Sequence, residues 1–328
     1  MSSRTLKLML ALGVFGALSL FAPASAAQGK KAKKPIRKGA PVIWRAPDDL
    51  PARDLFLGPG GEAMRPDLRR VTFLKEETGG FSKKYRVRDG AGREWVAKIG
   101  KEAQAETAAV RLVWAVGYMT EINYLAPCVK VEGAPAPGKD DEACAGGGFA
   151  NVRFEARPEN VDRLDEWKWS ENPFVGTKEL QGLIVMMALL NNWDIKDTNN
   201  KVLHVSGAGA GELHYIVSDL GATFGRVKLN APGFWRIRRN RNDPEDYARD
   251  PFLEDVKGGQ VYLFYKGKRQ DLFDDIRVEE AKWIAGLLSK LNRRQIEDAF
   301  RAANYTPAEV RLLADAVRVR IDELKAIR

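Results

Sequence analysis

Two cysteines and two histidines are all that this 328-residue sequence contains. That supply is too small for a structural zinc site, which draws its ligands chiefly from those two residue types. His204 and His214 flank a glycine-rich insertion and read as ordinary polar residues. Long apolar runs are missing as well: past the start of the chain, none reaches the roughly 20 residues that a membrane helix needs. Acidic residues are absent from the first forty positions, which hold eight basic ones, so the formal charge of +9 falls to +1 for everything after them. The basic bias therefore belongs to one end of the chain and argues against nucleic acid as a partner.

That end has its own signature. Arg4 and Lys7 precede an apolar run from Leu8 to Phe21, and Ala24-Ser25-Ala26 follows as a small-residue cleavage pattern. The pattern predicts a signal peptide over residues 1–26 and export, to the periplasm or beyond the cell. A basic tail would remain, continued by an extended, proline-rich segment to residue 70. Such a tail is either a solvated end or an electrostatic tether to an anionic membrane surface. Export would also place Cys128 and Cys144 where disulfides persist, and the turn-rich polar segment between them suits a bridge.

Residues 71–99 read as three short strands, with Asp89-Gly90 as a hairpin turn between alternating runs. Gly79 and Gly80, in the preceding turn, could bring backbone amides close to phosphates, although glycines in a turn more often serve the turn alone. The third strand ends on Lys98, and a helical run follows at once. On that run Glu106 shares a stripe with Ala109, Val110 and Val113, at spacings of three, four and seven. An acid on a buried stripe needs a cationic partner; Lys98 is the candidate, with Glu102 one turn earlier as the alternative acid. Two further strands complete a five-strand sheet with one helix over residues 71–157, leaving 158–328 for a second lobe.

In that second lobe a run apolar nearly all round, residues 177–192, predicts a buried helix. It delivers the chain into WDIKDTNNKVL, with Asp194, Lys196 and Asn199 in the order D-x-K-x-x-N, and then into YIVSDLGATFG, where Asp219 ends a strand-like run. Three amphipathic helices close the chain; the last opens with Thr306, Pro307 and Glu309, a capping box with proline in the first turn.

WDIKDTNNKVL with SDLG resembles the catalytic loop and metal-binding turn of the protein-kinase-like superfamily, and Lys98 with Glu106 resembles the ion pair of its small lobe. AETAAVRL is most similar to the helix of the secreted, Golgi-type atypical kinases; the step from Asp to Asn also occurs in phosphoinositide and HipA-like kinases. The pattern departs from the common one in four places. Asn192-Trp193 replaces His-Arg before the acid, no G-x-G-x-x-G is present, the metal turn is DLG, and no A-P-E follows.

The resemblance implies an α+β, two-lobed kinase-like fold and an exported phosphotransferase using ATP with magnesium or manganese. Asp194 would orient the acceptor hydroxyl and Lys196 would neutralise charge on the transferred group. Lys98, paired with Glu106, would hold the nucleotide along with Gly79 and Gly80. Asn199, or its neighbour Asn200, would hold the metal with Asp219. The alternative on the same fold is an inactive module of the cell envelope that binds nucleotide or a partner. Arg236, Arg238, Arg239 and Arg241 beside Phe234 and Trp235 read either as a solvated loop or as recognition of an anionic, hydroxyl-bearing acceptor.

Overall fold

The structure, a computed structural model, describes residues 37–78, 82–207, 209–229 and 237–328. The segment read as a signal peptide, most of the basic tail, Gly79, Gly80, Phe234, Trp235 and Arg236 lie outside them. Strand β1 (Ala40–Val42) comes first, and the small lobe then opens with β2 (Thr72–Glu76), β3 (Lys83–Arg88) and β4 (Glu94–Ile99). Asp89 fixes the β3–β4 turn by accepting the backbone N–H groups of Ala91 and Arg93 at 3.0 and 2.9 Å. Helix α1 (Glu102–Ala115) follows, then β5 (Asn123–Val129), the short β6 (Ala143–Cys144) and β7 (Gly148–Ala156). The sheet runs β2-β3-β4-β7-β5, antiparallel throughout, with β6 added beside β7. Tyr85, Trp95, Phe149 and Phe154 of this sheet are buried in one apolar cluster. Cys128 and Cys144 are joined by a disulfide between β5 and β6.

The larger lobe holds β8 (Val161–Arg163), α2 (Lys178–Leu189), β9 (Asn200–Val205) and β10 (Glu212–Val217). After them come a hairpin of β11 (Val227–Leu229) and β12 (Ile237–Arg239), α3 (Pro244–Arg249), and a second hairpin of β13 (Leu253–Lys257) and β14 (Gln260–Leu263). Helices α4 (Val278–Leu288), α5 (Arg293–Arg301) and α6 (Pro307–Ala326) close it. α2 is the axis of this lobe: Leu183 to Leu190 are all at most 3% exposed, so the helix contributes apolar surface in every direction. Thr177 caps its start by accepting the Leu180 N–H. The capping box of Thr306 and Glu309 is formed at the start of α6. This is the α+β architecture expected from the sequence, a small antiparallel-sheet lobe with one helix and a larger, mainly helical lobe.

One part of the fold has no counterpart in that expectation. β1 lies parallel to β10, as the edge of a sheet ordered β1-β10-β9-β8, with Ala40 opposite Glu212 and Val42 opposite His214. The chain then runs as a strap across the molecule, burying Ile43, Leu50 and Leu55 at 2, 1 and 0% exposure. From α5 the Gln295 amide donates to the Leu50 and Arg53 carbonyls at 2.9 and 3.1 Å. A three-residue strand with a proline in it gives no periodic signal, which is why the sequence does not reveal it.

Candidate active site

The upper wall of the site begins with strand register. Lys98 on β4 pairs with Lys84 on one side and Arg153 on the other, so three cations form a row across the sheet. Charges that leave water need partners, and α1 supplies them from positions one turn apart. Lys98 Nζ lies 2.8 Å from Glu106 Oε2 and 2.9 Å from Glu102 Oε2. The other oxygen of Glu106 takes Arg153 at 3.0 Å. Lys98 is 3% exposed and Glu106 1%. Burial by itself would pull the lysine down; the charges of Glu106 and Asp219 outweigh it and hold Lys98 above its ordinary range. The network continues beyond Arg153. Arg153 also pairs with Glu155 at 2.9 Å, and Arg163 joins Glu155 at 3.1 Å and the Ser218 hydroxyl at 2.8 Å.

The lower wall is built where α2 stops. Asn191 takes a left-handed conformation (φ 50°) and turns the chain, bringing Trp193 and Asp194 to the cleft. Lys196 Nζ lies 3.0 Å from Asp194 Oδ2. Asn199, at the end of a single 3₁₀ turn, donates Nδ2 to the Asp194 carbonyl at 2.7 Å, tying the loop into a ring. The Asn199 carbonyl accepts the N–H groups of Ser218 and Asp219 at 2.8 and 3.3 Å, so the two motifs are hydrogen-bonded to each other. Asp219 Oδ1 accepts the Gly221 N–H at 3.2 Å and faces Lys98 Nζ at 3.4 Å. Burial pushes the Asp219 carboxyl up, but Lys98, the Gly221 N–H and Arg153 together prevail and hold it below its ordinary value. Gly221 is required by proximity: a Cβ there would meet the Glu102 Cβ at 2.8 Å.

Between the walls is a cavity of about 570 Å³, and Lys98, Glu106, Asp194, Lys196, Asn199 and Asp219 all line it. Glu102, the alternative to Glu106, shares Lys98 with it. Asn200 instead turns away, donating Nδ2 to the Trp167 carbonyl at 3.1 Å. His204 and His214 are engaged elsewhere, by the Ala210 carbonyl and by Glu212. Of the arginine cluster, Arg239 and Arg241 stand over the Trp193 ring at 5.7 and 4.8 Å, and Arg241 also contacts Glu102.

Sequence reasoning misses Lys268. Its ammonium lies 2.6 Å from Asp194 Oδ1, yet it comes from a loop after β14 with no spacing relation to either motif. Arg153 is missed too; its register opposite Lys98 was the only available signal.

The chemistry of the donors fits a hard divalent cation. With Nδ2 committed to a carbonyl, Asn199 has its amide oxygen to offer, and the Asp219 side chain keeps 42% of its surface exposed to the cleft. Magnesium characteristically takes one or two protein oxygens and completes its shell with phosphates and water. Among the described residues no cluster of three His, Cys, Asp or Glu side chains gathers to hold a metal, so a cation here would depend on the phosphates of its ligand.

No family model and no curated protein matches the chain. Among solved structures it is similar to the Helicobacter pylori proinflammatory kinase CtkA, at 10% identity and a TM-score of 0.44, over 80% of this chain and 93% of that one. It is also similar to hydra Fam20, solved with sugar, at 13% identity and a TM-score of 0.32, over 80% and 88% of the two chains. Likenesses this distant add no weight of their own, and the geometry of the site carries the functional reading.

Proposed function

We propose that this protein is an ATP-dependent phosphotransferase acting on a hydroxyl-bearing acceptor outside the cytoplasm. The observation that carries the reading is the convergence of two walls. A buried lysine held by two glutamates faces Asp219, and across the same cavity Asp194, Lys196 and Asn199 stand on one hydrogen-bonded loop. The disulfide supports the compartment, since such bonds persist in oxidising surroundings.

In this reading Lys98 binds the phosphates of the nucleotide; Glu106 and Glu102 fix its direction and maintain its charge. Asp194 orients the acceptor hydroxyl and receives its proton. The acceptor oxygen forms a bond to the terminal phosphorus as the bond to the bridging oxygen breaks, and ADP leaves. Lys196 neutralises charge on the group in transit. Asn199 and Asp219 would hold magnesium or manganese, which would screen the triphosphate. Most of the acceleration asked of such a site comes from positioning and electrostatics, and both motifs here are locked to one another before any ligand arrives.

The test is incubation of the purified protein with labelled ATP, magnesium or manganese, and an extract of its source cells. Label should pass to an acceptor. Asp194→Ala should abolish transfer while retaining the rise in melting temperature given by nucleotide and metal; Asp219→Ala should lose that rise. Transfer undiminished in Asp194→Ala would sink the enzyme reading. A nucleotide-induced rise with no transfer under any condition would favour an inactive nucleotide-binding module.

A further inference from the structure

Asp194 is held by more positive charge than its own negative charge requires. Lys196 sits on Oδ2 at 3.0 Å and Lys268 on Oδ1 at 2.6 Å. Oδ1 is buried and, among the described residues, has no aligned hydrogen-bond donor, so Lys268 holds it through charge alone. Both ammonium groups keep 44% of their side-chain surface exposed. Beside them Arg239 and Arg241 flank Trp193. Glu102, which contacts Arg241, is already committed to Lys98. The mouth of the site is thus cationic in excess.

The place of Lys268 is built, not incidental. Residues 265–269 are fastened to the loop that carries Asp194 at three points. The Tyr265 hydroxyl donates to the Asn192 carbonyl at 2.8 Å, the Lys268 N–H donates to the Trp193 carbonyl at 2.8 Å, and Arg269 NH1 donates to Asp197 Oδ1 at 2.9 Å. Gly267 lets the two backbones meet, since a Cβ there would come within 2.6 Å of the Trp193 Cα. Arg269 accepts a left-handed conformation (φ 56°) to complete the turn, an arrangement that is costly for a residue with a side chain.

We infer that Lys268 reads the acceptor: it binds an oxyanion, phosphate or carboxylate, carried beside the acceptor's hydroxyl, and in moving onto that group it uncovers Asp194 Oδ1 for the hydroxyl. The inference rests on the phosphotransferase reading. A neutral hydroxyl offers an ammonium nothing in exchange for a carboxylate. An oxyanion offers a partner of the same kind, so the exchange conserves the ion pair. Lys196 stays on Oδ2 meanwhile, and the carboxylate is never left without a counter-charge. Selectivity for anionic acceptors follows from where Lys268 rests before they arrive.

The experiment is calorimetric titration of the purified protein, saturated with magnesium and a non-hydrolysable ATP analogue, at fixed ionic strength. Inorganic phosphate and acetate are the two probes. Lys268→Met should weaken binding of the preferred oxyanion by about tenfold or more, and Lys268→Arg should keep it within about threefold, because both replacements test a charge-assisted contact. Nucleotide affinity and melting temperature should be equal in all three proteins, which a merely structural role would not predict. Whichever probe depends on Lys268 identifies the oxyanion. Equal affinities in the wild type and Lys268→Met, or no binding of either probe by a wild type that binds nucleotide, overturns the inference. If nucleotide itself fails to bind, the phosphotransferase reading falls, and titrations without it still decide whether Lys268 holds an anion.

Discussion

Glu106 illustrates how much one side chain can be asked to do. It is 1% exposed and divides its two oxygens between Lys98 and Arg153, at 2.8 and 3.0 Å. Removing it takes a shared carboxylate from two buried cations, leaving Lys98 to Glu102 and Asp219 and Arg153 to Glu155, so Glu106→Ala should destabilise the fold by about 3 kcal/mol in urea titration, the low end for breaking a buried pair. Glu102→Ala should cost less, since Lys98 keeps Glu106; the reverse ranking would show that Glu102 is the principal partner. Asp219 makes a prediction in pH. Its folded value is depressed below the usual 3.8, so its contribution to stability is complete above that value and is lost as pH falls through the lower folded one. Melting temperature measured from pH 6 to pH 2.5 should therefore drop less steeply at the acid end in Asp219→Asn than in the wild type. Indistinguishable acid limbs would rule out Lys98 as a stabiliser of that carboxylate.

Among the elements, the segment of residues 265–269 is the least expected and the most exacting. Gly267→Ala drives a methyl group into the Trp193 backbone, which cannot rotate aside, and should cost about 1–3 kcal/mol. It should also reproduce the loss of oxyanion affinity expected of Lys268→Met while sparing nucleotide affinity; preserved oxyanion binding would mean that the segment is not what aims Lys268. Nothing in the sequence marks this element, because its importance comes from lying against residues far away along the chain. The elements legible beforehand are those with local signals. Alternation and the Asp89-Gly90 turn give β3 and β4, the all-round apolar run gives α2, and the Thr306 capping box gives the start of α6. The Lys98–Glu106 contact was legible for a different reason: an acid on a buried stripe demands a cation, and the preceding strand supplies one. Glu102, the alternative acid one turn earlier, takes the same lysine, so the structure uses both of the acids that the spacing offered.

At the scale of the molecule, the strap that follows β1 does the work of a clasp. Leu55, fully buried, packs in the same core cluster as residues from α1, α2 and α5. Leu55→Ala should lower unfolding free energy by about 2–5 kcal/mol, although the residue lies far from the cleft in sequence. A loss below 1 kcal/mol in denaturant titration would mean that the strap merely decorates the surface. The two-lobed plan was readable from the order of motifs. The strap was not, since its buried residues follow neither helical nor strand periodicity, and its proline-rich composition is that of a linker.

The amide of Gln104 has a consequence for control. From α1 it donates to the carbonyls of Ala303 and Asn304, just past α5, both at 3.1 Å, and its oxygen accepts from Asn242 at 3.2 Å. The helix that orients Lys98 is thereby fastened to the segment after α5 and to Asn242 in the other lobe. Swinging it outward would sever those bonds together with the apolar contact beneath them. In the proposed phosphotransferase, a helix fastened in this way would leave the supply of acceptor and nucleotide, rather than an outward swing of α1, to govern output.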